Sequence, residues 1–132
     1  VVGNYNWKDD CIKVVCVDFD GVLHDYTKNE WQGHNKVTGP AVAGAIDWLK
    51  ELVASKNLTV KIYSYRSKYK DGHIAMRQWL LANGMTEKEL EKIEFPFTKP
   101  VAFVSIDDRC ICFDGKKHPT VDQINNFESW LE

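Results

Sequence analysis

Residues Ile12 to Phe19, IKVVCVDF, form a short apolar run rich in β-branched side chains that stops at Asp20-Gly21. Such a run fits a strand buried on both faces, the usual place of central strands in parallel sheets. Parallel neighbours need crossover connections, usually helical, and the rest of the chain supplies them. From Ala41 to Lys56 the residues Val42, Ile46, Leu49 and Val53 recur at helical spacing, with Pro40 opening the helix and Asn57 at its exit. Leu58 to Tyr63 (LTVKIY) reads as a second strand ending at Ser64. A second helix is predicted over Gly72 to Ala82, with Ile74, Trp79 and Leu81 on a partly apolar surface and Asn83-Gly84 as its stop. A shorter helix, Thr86 to Ile93, opens with a capping box of Thr86 and Glu89.

A short strand is expected near Phe95, then a strand Val101 to Ile106 (VAFVSI) that ends at Asp107-Asp108. Cys110 to Phe113 reads as a further short strand, and Val121 to Leu131 as a final amphipathic helix anchored by Ile124, Phe127 and Leu131. This alternation implies an α/β fold: a three-layer, Rossmann-like sandwich with a mainly parallel central sheet and helices on both faces. Residues 1–10, VVGNYNWKDD, read as a docked or frayed leader, and residues 21–40, broken by glycine and proline, as a loop.

With 132 residues, 44% of them hydrophobic, the chain suits one domain spanning residues 1–132. Roughly 68% of the unfolded surface can be buried at this size, so neither a disulfide framework nor a structural metal is required. Seventeen Lys and Arg against 19 Asp and Glu leave a net charge of −2, which lacks the broad electrostatic signature of a duplex-DNA binder. No apolar run approaches the roughly 18 to 20 residues of a membrane span, so no membrane partner and a cytoplasmic location are expected. Residue 1 is Val rather than Met, so the native start can lie upstream. Cys11, Cys16, Cys110 and Cys112 show no C-x-x-C spacing and read as reduced, mostly buried thiols; a bridge would need the 11/16 and 110/112 segments to be neighbours.

In an open parallel sheet, ligands bind beyond the carboxyl ends of the strands. Three predicted strands end at Asp18-Phe19-Asp20, at Ser64 and at Asp107-Asp108. Strand alternation puts Asp18 and Asp20 on one side and turns Phe19 into the core. Four carboxylates in one crevice repel each other unless they take up protons or a hard cation. Oxygen-only ligation with a substrate phosphate suits Mg²⁺. Ser64 offers a hydroxyl and Lys99 a balancing positive charge, and Gly21 permits a tight turn that frees backbone amides after Asp18, at Phe19 and beyond, as donors. A phosphate fits such a pocket better than an uncharged substrate.

VVCVDFDGVLH, IYSYRS and TKPVAFVSIDDR, in that order between residues 14 and 109, resemble the motifs of the haloacid dehalogenase superfamily. The resemblance implies a phosphatase in which Asp18 is the nucleophile that becomes an aspartyl phosphate. It implies that Asp20 protonates the leaving oxygen and then activates the hydrolytic water. It implies Mg²⁺ held by the Asp18 carboxylate, the Asp20 main-chain carbonyl and one Asp of the pair Asp107 and Asp108, with Asp107 favoured. Ser64 and Lys99 would bind the transferring group. The acid at position 20 resembles the phosphate-transferring members rather than those that cleave carbon–halogen bonds.

Neither interval between motifs has room for a cap domain, so the chain resembles capless members. Those act on large substrates or close the open site by forming a homo-oligomer. The loop His24 to Lys36 would then serve as a flap, with His24, Tyr26, Trp31 and His34 available to meet the leaving group or to stack a base; equally, Trp31 and Tyr26 could only pack the loop onto the body. Arg66 is expected to clamp a phosphate with its planar fork, and Arg109 to partner the adjacent carboxylates. Ser67 to His73 reads as a solvated loop, and His73 and His118 as surface residues. Alternatives are a phosphatase of DNA or RNA ends, favoured by the open site and disfavoured by the charge, and a non-catalytic module that binds phosphate and Mg²⁺.

Overall fold

The computed structural model describes residues 12–130; the predicted leader, Cys11 and Leu131 lie outside them. Its elements are β1 (Lys13–Val17), α1 (Ala45–Ala54), β2 (Leu58–Ile62), a 3₁₀ turn (Tyr65–Lys68), α2 (Lys70–Ala82), α3 (Glu87–Glu91), β3 (Ile93–Glu94), β4 (Val104–Ile106) and α4 (Val121–Asn125). The four strands form an all-parallel sheet in the order β3-β2-β1-β4. The chain steps from β1 outward to β2 and β3, then returns to place β4 on the other side of β1. The direction of winding therefore reverses between β1 and β4, and that is where such sheets open a crevice at their carboxyl ends.

Register explains which side chains make the core. Val15 lies opposite Val60 and Val104, and Val17 opposite Ile62 and Ile106. Val15, Val17, Val60 and Ile62 join Leu49 and Val53 of α1 and Met76 and Leu80 of α2 in one buried cluster. Phe19, Leu23, Leu49, Ile62, Met76 and Leu80 are fully buried, and each such side chain contributes about 1.5–3 kcal/mol of transfer free energy. The other face of the sheet carries Cys16 between Lys61 and Ser105, and none of the three belongs to that cluster. The described residues thus make a small α/β fold whose helical core lies against one sheet face.

Several boundaries differ from the expectation. Pro40 opens no helix: Ala41 bridges His24, Val42 N–H donates to Leu23, and Gly44, at φ 79°, precedes α1. Residues 41 and 42 are drawn into extended pairing with the flap before the helical period takes over. Helix α2 starts at Lys70, two residues early, so His73 is helical and buried, its Nε2 at 2.7 Å from the Ser67 carbonyl and its ring stacked on Phe97. The Thr86–Glu89 capping box forms as expected, although its helix ends at Glu91. The predicted strand Val101–Ile106 keeps only its last three residues, with Val101 and Phe103 about half exposed. Cys110 to Phe113 is not a strand; Cys110 and Cys112 are exposed, and Cys16 alone of the three described free thiols is buried. Helix α4 stops at Asn125 with Val121 and Ile124 exposed, because an apolar period makes a long helix only where a surface is there to cover it. No helix among the described residues is long and apolar enough to cross a membrane.

Candidate functional site

Strand β1 delivers Asp18 to the reversal point. Its N–H donates to the Ile106 carbonyl, which ties the end of β1 to the end of β4, and Asp18 Oδ1 accepts from the Phe19 N–H at 2.9 Å. Just beyond β4, Asp107 and Asp108 turn back toward it. One carboxylate oxygen from each of Asp18, Asp107 and Asp108 lies within 4.8 Å of the others. Burial, with Asp107 and Asp108 beside it, pushes the Asp18 pKa up to about 8 against the Phe19 hydrogen bond. Burial also raises Asp108. Asp108 Oδ2 is buried without a hydrogen-bond partner, and it sits where a Cβ on Gly21 would be, 2.2 Å away. Gly21, at φ +93°, is therefore required twice, for its backbone angle and for the space its missing side chain leaves to Asp108. A buried, unpartnered carboxylate oxygen beside two further carboxylates is a donor set that fits a hard divalent cation.

Asp20 faces a different environment. Arg66 Nε and a terminal guanidinium nitrogen donate to its two oxygens at 2.9 and 3.1 Å. His24 Nδ1 lies 2.8 Å from Oδ1. His24 Nε2 accepts from the Gly39 N–H at 2.9 Å, which leaves the ring proton on Nδ1 to be donated to Asp20. Burial alone would raise the Asp20 pKa, but the bonds from His24 and Arg66 outweigh it and hold the carboxyl below its ordinary value.

These contacts correct three sequence expectations. Arg66 is 1% exposed and does not line the pocket; its other terminal nitrogen donates to the carbonyls of Gly33, His34 and Lys36 at 2.8–3.2 Å. A buried guanidinium satisfies its donors inside the protein first, so Arg66 clamps Asp20 and the flap rather than an incoming phosphate. His24, 3% exposed, is likewise inside, stacked on Phe19. Phe19 is fully buried, and its amide is occupied by Asp18, as the Gly21 amide is by the His24 carbonyl.

Ser64 follows β2, lines the pocket and caps the 3₁₀ turn, its Oγ accepting from the Arg66 N–H at 3.0 Å. Lys99 is exposed, does not line the pocket and makes none of the ion pairs among the described residues. The cavity, about 520 Å³, is lined by Asp18, Asp20, Ser64, Asp107 and Asp108 together with Tyr26, Trp31, Tyr65 and Arg109.

Sequence reasoning missed Tyr65 and Trp130. Tyr65 stands beside Ser64 within the second motif and could have been flagged by that adjacency. Trp130 Nε1 donates to the Gly21 carbonyl at 2.7 Å across a separation of 109 residues, and no local pattern signals that contact. Comparison with known protein-family models, with curated proteins and with solved structures finds no match.

Proposed function

We propose that this chain is a magnesium-dependent phosphomonoester hydrolase that works through an aspartyl phosphate on Asp18, on a capless, haloacid-dehalogenase-like version of the three-layer Rossmann-type fold. The observation that carries the reading is the Asp108 carboxylate, one oxygen of which is buried without a hydrogen-bond partner, gathered with the Asp18 and Asp107 carboxylates at the winding reversal. Asp18, Asp107, Asp108 and the Asp20 carbonyl would hold Mg²⁺, which when bound would screen the repulsion between nucleophile and phosphate. An Asp18 oxygen attacks phosphorus while the bond from phosphorus to the leaving oxygen breaks and Asp20 gives that oxygen its proton. Water then attacks the aspartyl phosphate, Asp20 takes its proton, and phosphate departs as the Asp18–phosphorus bond breaks. Ser64 lines the cavity, and its hydroxyl, which donates to the weak acceptor Met76 Sδ at 3.7 Å, would turn from that sulfur to donate to the phosphoryl oxygens.

The base half of the Asp20 role suits its surroundings, since three donors favour the carboxylate. The acid half is opposed by the same contacts. That opposition favours a second reading, a module that binds Mg²⁺ and phosphate without turnover. Hydrolysis of an aryl phosphate with Mg²⁺ and with EDTA, on the native chain and on Asp18→Asn, separates the two. Metal-dependent release lost in the variant supports the hydrolase. Mg²⁺ binding with no release from the folded protein supports the module.

A further inference from the structure

Large aromatic side chains lower the free energy of folding when buried, so rings left open beside a polar cavity ask for a reason. Trp31 and Tyr65 both line the carboxylate cavity and are 48% and 56% exposed. Neither is loosely held. The Trp31 ring lies over the Arg66 guanidinium at 4.3 Å, and that guanidinium is itself locked by Asp20 and three flap carbonyls. Tyr65 opens the 3₁₀ turn that the Ser64–Ser67 capping box fixes. The two ring centroids are 6.2 Å apart with their planes at 64°, so the rings form a corner. A third ring stacked on one would meet the other edge-on, a favoured aromatic geometry. Because the corner is already ordered, little conformational entropy is lost when a ring enters it.

The cavity volume, about 520 Å³, falls within the ~300–1,000 Å³ of small-molecule sites and exceeds what a phosphoryl group needs. Arg109 is the one cation among the described residues that line it, so it offers no basic track for a chain of phosphates. We propose that the pocket takes phosphate monoesters whose leaving group carries a planar aromatic base, of the nucleoside monophosphate class, with the base seated in the Trp31–Tyr65 corner. This rests on the hydrolase reading for the phosphate end and on the aromatic corner for the base end.

The test compares adenosine 5′-monophosphate with ribose 5-phosphate, which shares the sugar and phosphate and lacks the base. kcat/KM is measured with Mg²⁺ on the native chain, Trp31→Ala and Trp31→Phe, and binding of both compounds is measured by calorimetry on Asp18→Asn with Trp31 intact and with Trp31→Ala added. The expected result is a preference for the nucleotide of about ten- to hundredfold, the range that base–aromatic stacking supplies. That preference should collapse toward unity in Trp31→Ala and persist in Trp31→Phe. Equal turnover of the two compounds by the native chain would overturn the inference and leave the hydrolase reading standing. Nucleotide binding that depends on Trp31, without turnover of either compound, would uphold the aromatic corner and overturn the hydrolase. Absence of both binding and turnover would overturn both.

Discussion

The Arg66 guanidinium, on the turn after β2, grips the Asp20 carboxylate, beyond the end of β1, through parallel bonds of 2.9 and 3.1 Å. With its remaining donors on the carbonyls of residues 33, 34 and 36, one buried side chain joins the second motif, the first motif and the flap. Removing it leaves the Asp20 carboxylate with only its His24 bond and takes a donor from three carbonyls at once. Arg66→Met is expected to cost about 3–5 kcal/mol, the usual effect of breaking a buried pair from one side. Urea unfolding measures the loss, and limited proteolysis should show new cleavage within residues 25–38.

Asp108 and Gly21 make the second prediction. A Cβ at position 21 would sit 2.2 Å from Asp108 Oδ2 on a backbone at φ +93°. Gly21→Ala should therefore displace the carboxylate and lower Mg²⁺ affinity by about ten- to a hundredfold, the scale of lost support around a metal site. Titration calorimetry with Mg²⁺ reads it directly; unchanged affinity would remove Asp108 from the metal site.

The raised Asp18 pKa makes stability depend on pH and metal together. Its ordinary value is 3.8, and in the fold burial and Asp107 push it up to about 8. Between these values the folded form binds more protons than the unfolded chain, so stability falls as pH rises from about 4 to 8. Mg²⁺ competes with those protons. A melting series without metal should decline across that window, and Mg²⁺ should raise Tm more at pH 8 than at pH 5; where Mg²⁺ stands at a hundredfold excess over Kd it would stabilise the fold by about 2.7 kcal/mol.

Asp18→Asn separates stability from chemistry. The amide removes the ionised, desolvated member of the cluster, so at pH 8 without metal the variant should melt higher than the native chain. On the proposed hydrolase reading, turnover of a phosphomonoester should fall by about four orders of magnitude or more, as when a nucleophile is lost. A variant that melts lower and keeps its turnover would refute the role given to Asp18.

Local pattern was sufficient for the framework. β-Branched apolar runs marked β1 and β2 to within two residues, and Thr86 with Glu89 marked the start of α3, because strand alternation and capping are decided by neighbours in sequence. The same logic brought Asp18, Asp107 and Asp108 to one edge, since each stands at the end of a strand, and the sheet order then made them meet. It failed where an apolar period had no surface to lie on, at Val101–Phe103 and beyond Asn125.

What the tertiary structure alone decided is the direction of side chains whose partners are far away in the chain. Arg66 and His24 carry donors that suit a phosphate equally well on paper. In the fold both are buried, and a buried donor binds the nearest acceptor that burial has also taken from water. For both residues that acceptor is Asp20. Lys99, whose side chain reaches solvent, was not drawn in, because an exposed ammonium loses no hydration by staying where it is. Order along the chain set which residues reach the crevice edge; burial across it determined which of them face a ligand and which hold the others in place.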